Sequence, residues 1–261
     1  MNDAPLDSGS HQRPERIAKF LARAGLCSRR DAERLIADGR VSVDGTVLST
    51  PAATVTAASE IRVDGKPVGA PDRSRLWRYH KPKGLVTTHR DEKGRPTVFA
   101  ALPAGLPRLI SVGRLDLSAE GLLLLTNDGG LARRLELPAT GWLRRYKVRV
   151  HGAVDPDGLA TLADGIAIGG VAYGPIRARL ERTQGSNAWI AMALAEGKNR
   201  EVRRVLEALG LQVTRLIRLS YGPFQLGNLA AGMIAEVPQK ALAEQLGTQP
   251  PRWAAHADRR R

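Results

Sequence analysis

Four consecutive leucines, Leu122 to Leu125, constrain the fold of this chain more than any other feature. A short unbroken apolar run closed by Asn127-Asp128-Gly129 reads as a buried strand ended by a turn. Leu109-Ile110 with Val112 reads as a second buried strand a few residues upstream. The stretch Gly113-Arg114-Leu115-Asp116 up to Gly121 then becomes a short loop that holds one aspartate near a dry core. Arg114 and the apolar neighbours Leu115 and Leu117 imply a partly desolvated carboxylate beside a cation, an arrangement enriched at functional sites. Local chemistry reads equally well as an Asx turn, in which Asp116 only bonds its own loop.

The chain has 261 residues, enough for one large domain or a small domain plus a medium one. Its 40 Lys and Arg against 26 Asp and Glu give a net charge of +14, which calls for a polyanionic partner. No apolar run approaches the length of a spanning helix and the first dozen residues are polar, so neither a membrane segment nor a signal peptide is expected. A single Cys27 suits a reducing cytoplasm and small-residue packing, because no second Cys or clustered His offers a zinc site. Gly-rich nucleotide signatures and internal repeats are absent.

Ile17, Phe20, Leu21 and Ala24 fall at helical spacing and stop at Gly25. Ser28 then caps a second helix with apolar face Ala32, Leu35 and Ile36, ending near Gly39. Asp44-Gly45 and Asp64-Gly65, each between β-branched residues, predict two hairpins. Arg23, Arg29, Arg30, Arg34 and Arg40 crowd this small unit and are its expected RNA contacts, through phosphate. An arginine-studded solvated face is the plainer reading. Residues 66–74 have the composition of a linker.

Leu76, Trp77 and Tyr79 predict a strand running into Lys81-Pro82-Lys83-Gly84, a turn whose lysines suit a phosphate contact. Thr87 to Gly94 is expected as an exposed loop able to drape on a partner. Leu131 to Leu137 reads as a helix broken by Pro138. The period of two in Arg144 to Val150 puts Tyr146, Val148 and Val150 on one face and Arg145, Lys147 and Arg149 on the other. Val171 to Leu180 and Trp189 to Leu194 are expected strands. Val202, Val205, Leu206 and Leu209 give a helix on which Arg203 flanks the apolar stripe and Arg204 points away. Val213 to Leu219 reads as a strand, turned at Tyr221-Gly222-Pro223.

Arg16 to Glu33, together with Gly39-Arg40-Val41-Ser42-Val43-Asp44-Gly45, resembles the S4 RNA-binding domain. Gly113-Arg114-Leu115-Asp116, followed by Gly121 to Gly129, resembles the signature of the RsuA/RluB family of ribosomal RNA pseudouridine synthases. Lys81 to Gly84, Gly197 to Arg204 and Leu216-Ile217-Arg218 stand in the family's order behind the S4 stretch. The resemblance implies an α+β chain with an S4 domain at 13–65 and a larger α+β catalytic domain at 75–246 that carries a mixed, mainly antiparallel sheet. Around them the sequence itself predicts an aperiodic leader at 1–12, the linker at 66–74 and a basic disordered tail at 247–261.

By this resemblance Asp116 is the catalytic aspartate, Tyr146 the active-site tyrosine, Arg203 the aspartate's basic partner and Leu216 the apolar residue packing the site. Arg114 would support the loop, and Lys81, Lys83, Arg200 and Arg218 would meet the substrate. Ser118 and Ala119 depart from the Asn and hydroxyl residue often found in relatives. The implied enzyme is a monomeric cytoplasmic isomerase without cofactor or metal, acting on ribosomal RNA or an assembling subunit, the large one by its Lys198 to Glu201 and Tyr221 to Pro223 segments. Two other readings are a non-catalytic ribosome assembly factor and a metal nuclease using Asp116, Glu120 and Asp128; Arg114 argues against the nuclease.

Overall fold

In the computed structural model of the protein, residues 14–247 are described. The leader and all of the tail except Gly247 lie outside the described residues. The chain divides into two compact units, the first holding 14–75 with 105–110 and 127–129, the second the rest.

The first unit has the order β1 (Glu15–Arg16), α1 (Ile17–Arg23), α2 (Arg29–Ala37), β2 (Val41–Val43), β3 (Thr46–Val47), β4 (Thr54–Val55), β5 (Ile61–Val63) and β6 (Lys66–Pro67). Ser28 closes a capping box on α2: its Oγ accepts from the Asp31 N–H at 3.1 Å while the Asp31 carboxylate accepts from the Ser28 N–H at 3.4 Å. Such a cap stabilises a helix start by about 1 kcal/mol. Both Asp-Gly turns form, with Asp44 and Asp64 left-handed, and they join β2 to β3 and β5 to β6 in a four-stranded sheet of order β3-β2-β5-β6. Ile17, Leu21, Ala32, Ile36 and Val41 are fully buried in one core, against which Cys27 packs. The sheet extends two residues into the expected linker, and Pro67 is tolerated there because β6 is an edge strand. The short pair β1 and β4, two residues each, had no sequence signal.

The second unit runs β7 (Leu76–Lys81), β8 (Ile110–Val112), β9 (Glu120–Thr126), α3 (Gly129–Glu136), β10 (Arg144–His151), α4 (Pro156–Ala160), β11 (Ile166–Ile168), β12 (Val171–Tyr173), β13 (Ile176–Gln184), β14 (Asn187–Leu194), α5 (Glu201–Ala208), β15 (Gln212–Tyr221), β16 (Phe224–Gln225), β17 (Ile234–Glu236) and α6 (Gln239–Gly247). Its main sheet has the order β13-β14-β10-β15-β9-β7-β17, with β16 on β15 and β8 on β9. β9 and β15 are parallel, whereas β10, β13 and β14 are joined antiparallel, as are β7 and β9. The α+β class with a mixed, mainly antiparallel sheet is therefore as expected.

Leu122 to Leu125 are 0% exposed, so β9 is buried on both faces. The single strand expected over Val171 to Leu180 is two, broken at Gly174-Pro175, where proline has no N–H for a ladder. Gly121 sits where β9 crosses β15. Its φ is +103°, and a Cβ there would lie 2.3 Å from the Arg218 carbonyl oxygen. Only glycine permits the parallel pairing Gly121↔Arg218.

Candidate active site

The loop between β8 and β9 carries Asp116, and its backbone is bonded from outside at Gly113, Leu115, Asp116, Leu117, Ser118 and Ala119. The Gly113 N–H donates to Glu136 Oε1 at 2.6 Å. Thr87 Oγ1 donates to Leu115 O at 2.8 Å and accepts from the Leu115 N–H at 3.3 Å. Gly84 N–H meets Leu117 O at 2.8 Å, and Ala119 N–H closes a turn onto Asp116 O at 3.0 Å. Two cations complete the set. Lys81 Nζ donates to the carbonyls of Asp116 and Ala119 at 3.1 and 2.9 Å and to Pro82 O at 3.1 Å. Arg203 Nη2 donates to Ser118 O at 3.3 Å and its Nη1 to Val213 O at 3.2 Å. A carboxylate carried by so constrained a backbone is preorganised before any substrate arrives.

The structure corrects the expectations at Lys81, Leu117 and Arg114. Lys81 is 0% exposed and therefore not a phosphate contact; it is an internal strut, while Lys83 beyond the turn is exposed. Burial pulls the Lys81 ammonium down to about 8, with the Asp116 and Glu120 carboxylates opposing the fall and the Arg218 guanidinium adding to it. Arg203 donates to the loop backbone at Ser118. Burial and then Arg200 lower its pKa, against the pull of Asp116. Leu117 is 40% exposed, so the apolar shield over Asp116 comes from Leu115, at 7%, and not from both neighbours. Arg114 is exposed and lines the cleft without an ion pair to Asp116 among the described residues.

Asp116 is half-buried at the mouth of a cleft of about 540 Å³. Its walls include Tyr146, Leu216, Arg218, Arg114 and Arg200. Tyr146 and Leu216 are 9% and 5% exposed and reach one face of the sheet because β10 pairs Tyr146 with Arg218 and Val148 with Leu216. Arg200 is left-handed at φ +52°, a strained backbone for a side chain, and presents an exposed guanidinium. A second groove of about 890 Å³ shares the Asp116 loop and is bounded by residues 86–95. The expected exposed loop is stiff there: Asp91 accepts from the N–H groups of Lys93 and Arg95 and from the Arg95 guanidinium, which holds its carboxyl down at about 2.

Sequence reasoning missed Arg144, Tyr221 and Glu201. Arg144 lines the cleft and donates to Tyr221 OH at 2.8 Å and to the Ala195 carbonyl, with its guanidinium 4.6 Å from the Tyr221 ring centre. The period of two that put Tyr146 inward also puts Arg144 inward, so the signal was present. Gly222, at φ +54°, lets the Trp142 ring press on the turn, where a Cβ would lie 2.5 Å from it. Glu201 is 3% exposed, accepts the Lys198 N–H at 2.8 Å and has its pKa raised by burial. For the nuclease reading, the Glu120 carboxylate is taken by Arg215 at 2.6 Å, and among the described residues no cluster of His, Cys, Asp and Glu could hold a metal ion.

Residues 75–208 match the model of the RNA pseudouridylate synthases, and residues 15–61 match the S4 domain. The chain belongs to the RNA pseudouridylate synthase family. It is similar to an RNA pseudouridine synthase of Rickettsia prowazekii, 47% identical over 232 residues that cover 88% of this chain and 97% of that one. It is also similar to ribosomal large subunit pseudouridine synthase B of Yersinia pestis, 44% identical over 87% of this chain and 74% of that protein. A crystal structure of a pseudouridylate synthase superposes with a TM-score of 0.61 at 26% identity, covering 88% of this chain and 99% of the other. The synthase thus carries the two-domain order that its motifs implied, S4 first.

Proposed function

We propose that this synthase converts one uridine of ribosomal RNA, in the large subunit, to pseudouridine, with Asp116 as its catalytic carboxylate. The observation that carries the reading is the pinned loop: a half-buried carboxylate held by Lys81, Thr87, Glu136 and Arg203 at the mouth of a cleft walled by Tyr146 and Leu216. The large subunit is supported by similarity to the Yersinia pestis relative named for it. Ribosomal RNA or an assembling subunit in the cytoplasm is the substrate, and the enzyme works as a monomer with its S4 domain at 13–65 and its catalytic domain at 75–246.

The target uridine leaves its stack at a cost of a few kcal/mol and is held between Tyr146 and Leu216. Asp116 then attacks C1′, or takes a proton from the ribose, and the C1′–N1 bond breaks with its electron pair passing to the uracil. The uracil turns and its C5 bonds to C1′ as the Asp116–C1′ bond breaks, or as the ribose proton returns from Asp116; Tyr146 then helps remove the C5 proton while N1 gains one. Substrate and product are isomers, so the atoms balance without an oxidant, a reductant or a cofactor. Arg203 acts through the loop as a positioning residue, while Arg114, Arg200 and Lys83 meet the RNA backbone at the rim. In the S4 domain Arg29 and Arg30 are exposed, whereas Arg23, Arg34 and Arg40 form ion pairs with Glu15, Asp31 and Asp64. The Arg34 and Arg40 pairs are exposed, and such pairs are weak and can exchange for phosphate, whereas the Arg23 pair is partly buried.

Mapping pseudouridines in ribosomal RNA from cells lacking the protein tests this reading. One site in large-subunit RNA should revert to uridine and return with the wild-type gene. An unchanged map, with subunit assembly impaired, would favour the assembly factor.

A further inference from the structure

Three cationic side chains are buried in the catalytic unit, Lys81 at 0%, Arg218 at 3% and Arg203 at 7% exposure. Against them stand, among the described residues, one buried acid, Glu201, whose carboxyl burial pushes toward neutrality, the half-buried Asp116, and the half-buried Glu120, which Arg215 already pairs. Burying uncompensated charge is costly unless the site is built to meet the opposite charge. Lys81 donates to loop carbonyls, Arg203 to Ser118 O of the loop and Val213 O of β15 with its Nε left unpartnered, and neither lines the cleft. Arg218 does line it. Its Nε donates to Leu122 O at 2.7 Å, and that is its one side-chain hydrogen bond among the described residues. Nη2 is sealed from water without a partner, whereas Nη1 is equally unbonded but not sealed, in a side chain that lines the cleft. The guanidinium has no ion pair among the described residues and lies 5.4 Å from the Tyr221 ring centre.

We propose that Arg218 is a catalytic residue: its Nη1 donates to a carbonyl of the bound uracil and stabilises the negative charge that develops when the C1′–N1 bond breaks. This deepens the proposed function and rests on it. In both routes open to Asp116 the departing uracil takes the bonding pair, which spreads over N1 and the ring carbonyl oxygens. A guanidinium in a dry wall, fixed by Leu122 O and by strand pairing opposite Tyr146, stabilises such charge without reorganising. When C5 bonds to C1′ the ring becomes neutral again, and the charge on Arg218 is unchanged throughout. The requirement for glycine at position 121 has a further consequence here, since the backbone that carries Arg218 sits against β9 with no room to shift.

The test compares two leaving groups. RNA carrying uridine or 5-fluorouridine at the target position is incubated in single turnover with wild type, Arg218→Gln and Arg218→Lys, and loss of the intact starting nucleoside is followed by chromatography of digested RNA. Fluorine stabilises the departing ring anion by itself, so that substrate depends less on the guanidinium. Arg218→Gln should slow uridine on the order of 10²–10³-fold, the usual effect of removing one charge-stabilising donor, and 5-fluorouridine much less. Arg218→Lys should fall between, with RNA affinity nearly unchanged in both variants. The ratio of the two rates is taken within one preparation, so partial misfolding cannot produce it. Equal loss on both substrates, or no loss on uridine, overturns the proposal while leaving the isomerase reading in place. A folded wild type that turns over neither substrate overturns both.

Discussion

Replacing Lys81 by Met tests whether the Asp116 loop is held from behind. Methionine keeps an unbranched chain of similar reach and deletes only the ammonium. The Pro82 and Asp116 carbonyls are partly open to water, and Asp116 O keeps its bond from the Ala119 N–H. The bond to Ala119 O is fully buried, so that carbonyl loses its donor where water cannot replace it. Leaving one buried acceptor unmet costs about 1–3 kcal/mol, and relief of the desolvated charge offsets part of it. A net loss of about 1–2 kcal/mol, or roughly 2–8 °C in Tm for a domain of this size, is expected. The effect on rate should be larger. A carboxylate misplaced by about 1 Å costs on the order of 100-fold. Because Lys81 does not line the cleft, the fall should appear in kcat for tritium release from C5-labelled RNA, with KM nearly unchanged. A kcat within twofold of wild type, or a defect confined to KM, would refute the reasoning.

The same lysine sets a pH dependence with two signs. Turnover should fall as pH rises through about 8, where the ammonium loses one of its three N–H donors. Stability moves the other way: the folded chain gives up this proton before the unfolded one, so Lys81 adds stability between about 8 and its ordinary 10.5. Urea titrations of wild type and Lys81→Met across that window check it, and identical pH slopes would contradict it. Gly121→Ala should cost about 3 kcal/mol or more, because the new Cβ meets the Arg218 backbone at a left-handed position; an unchanged urea midpoint would refute the close-approach argument. Changing Arg29, Arg30 and Arg34 to Ala should weaken binding across RNA sequences and make the salt slope shallower, by roughly 0.7 for each phosphate of a single-stranded RNA that is no longer neutralised. Unchanged affinity and slope would mean that these arginines form only a solvated face.

The features that could be read in the sequence were those set by local rules. The Ser28 cap, the Asp-Gly turns, the leucine run of β9 and the period of two in β10 depend on neighbours a few residues apart, and all stand where expected. What escaped depends on distant partners. Lys81 looks like a surface lysine flanking a turn until the loop 35 residues away lays its carbonyls around the ammonium. Arg203 meets Ser118 across 85 residues, a pairing that no helical wheel contains. Arg218 was visible as a cation on a strand, but its lack of a carboxylate partner among the described residues emerges only from the packing. Strands of two residues, such as β1 and β4, are too short to carry a period.

Asp116→Asn tests the central claim most directly. The change keeps the shape of the side chain and deletes the charge that attacks C1′ or takes the ribose proton. The Asn variant should fold and bind RNA as the wild type does. RNA labelled with tritium at uridine C5 should release label with the wild type and essentially none with the variant. Release at the wild-type rate by Asp116→Asn would show that the chemistry lies elsewhere in the cleft.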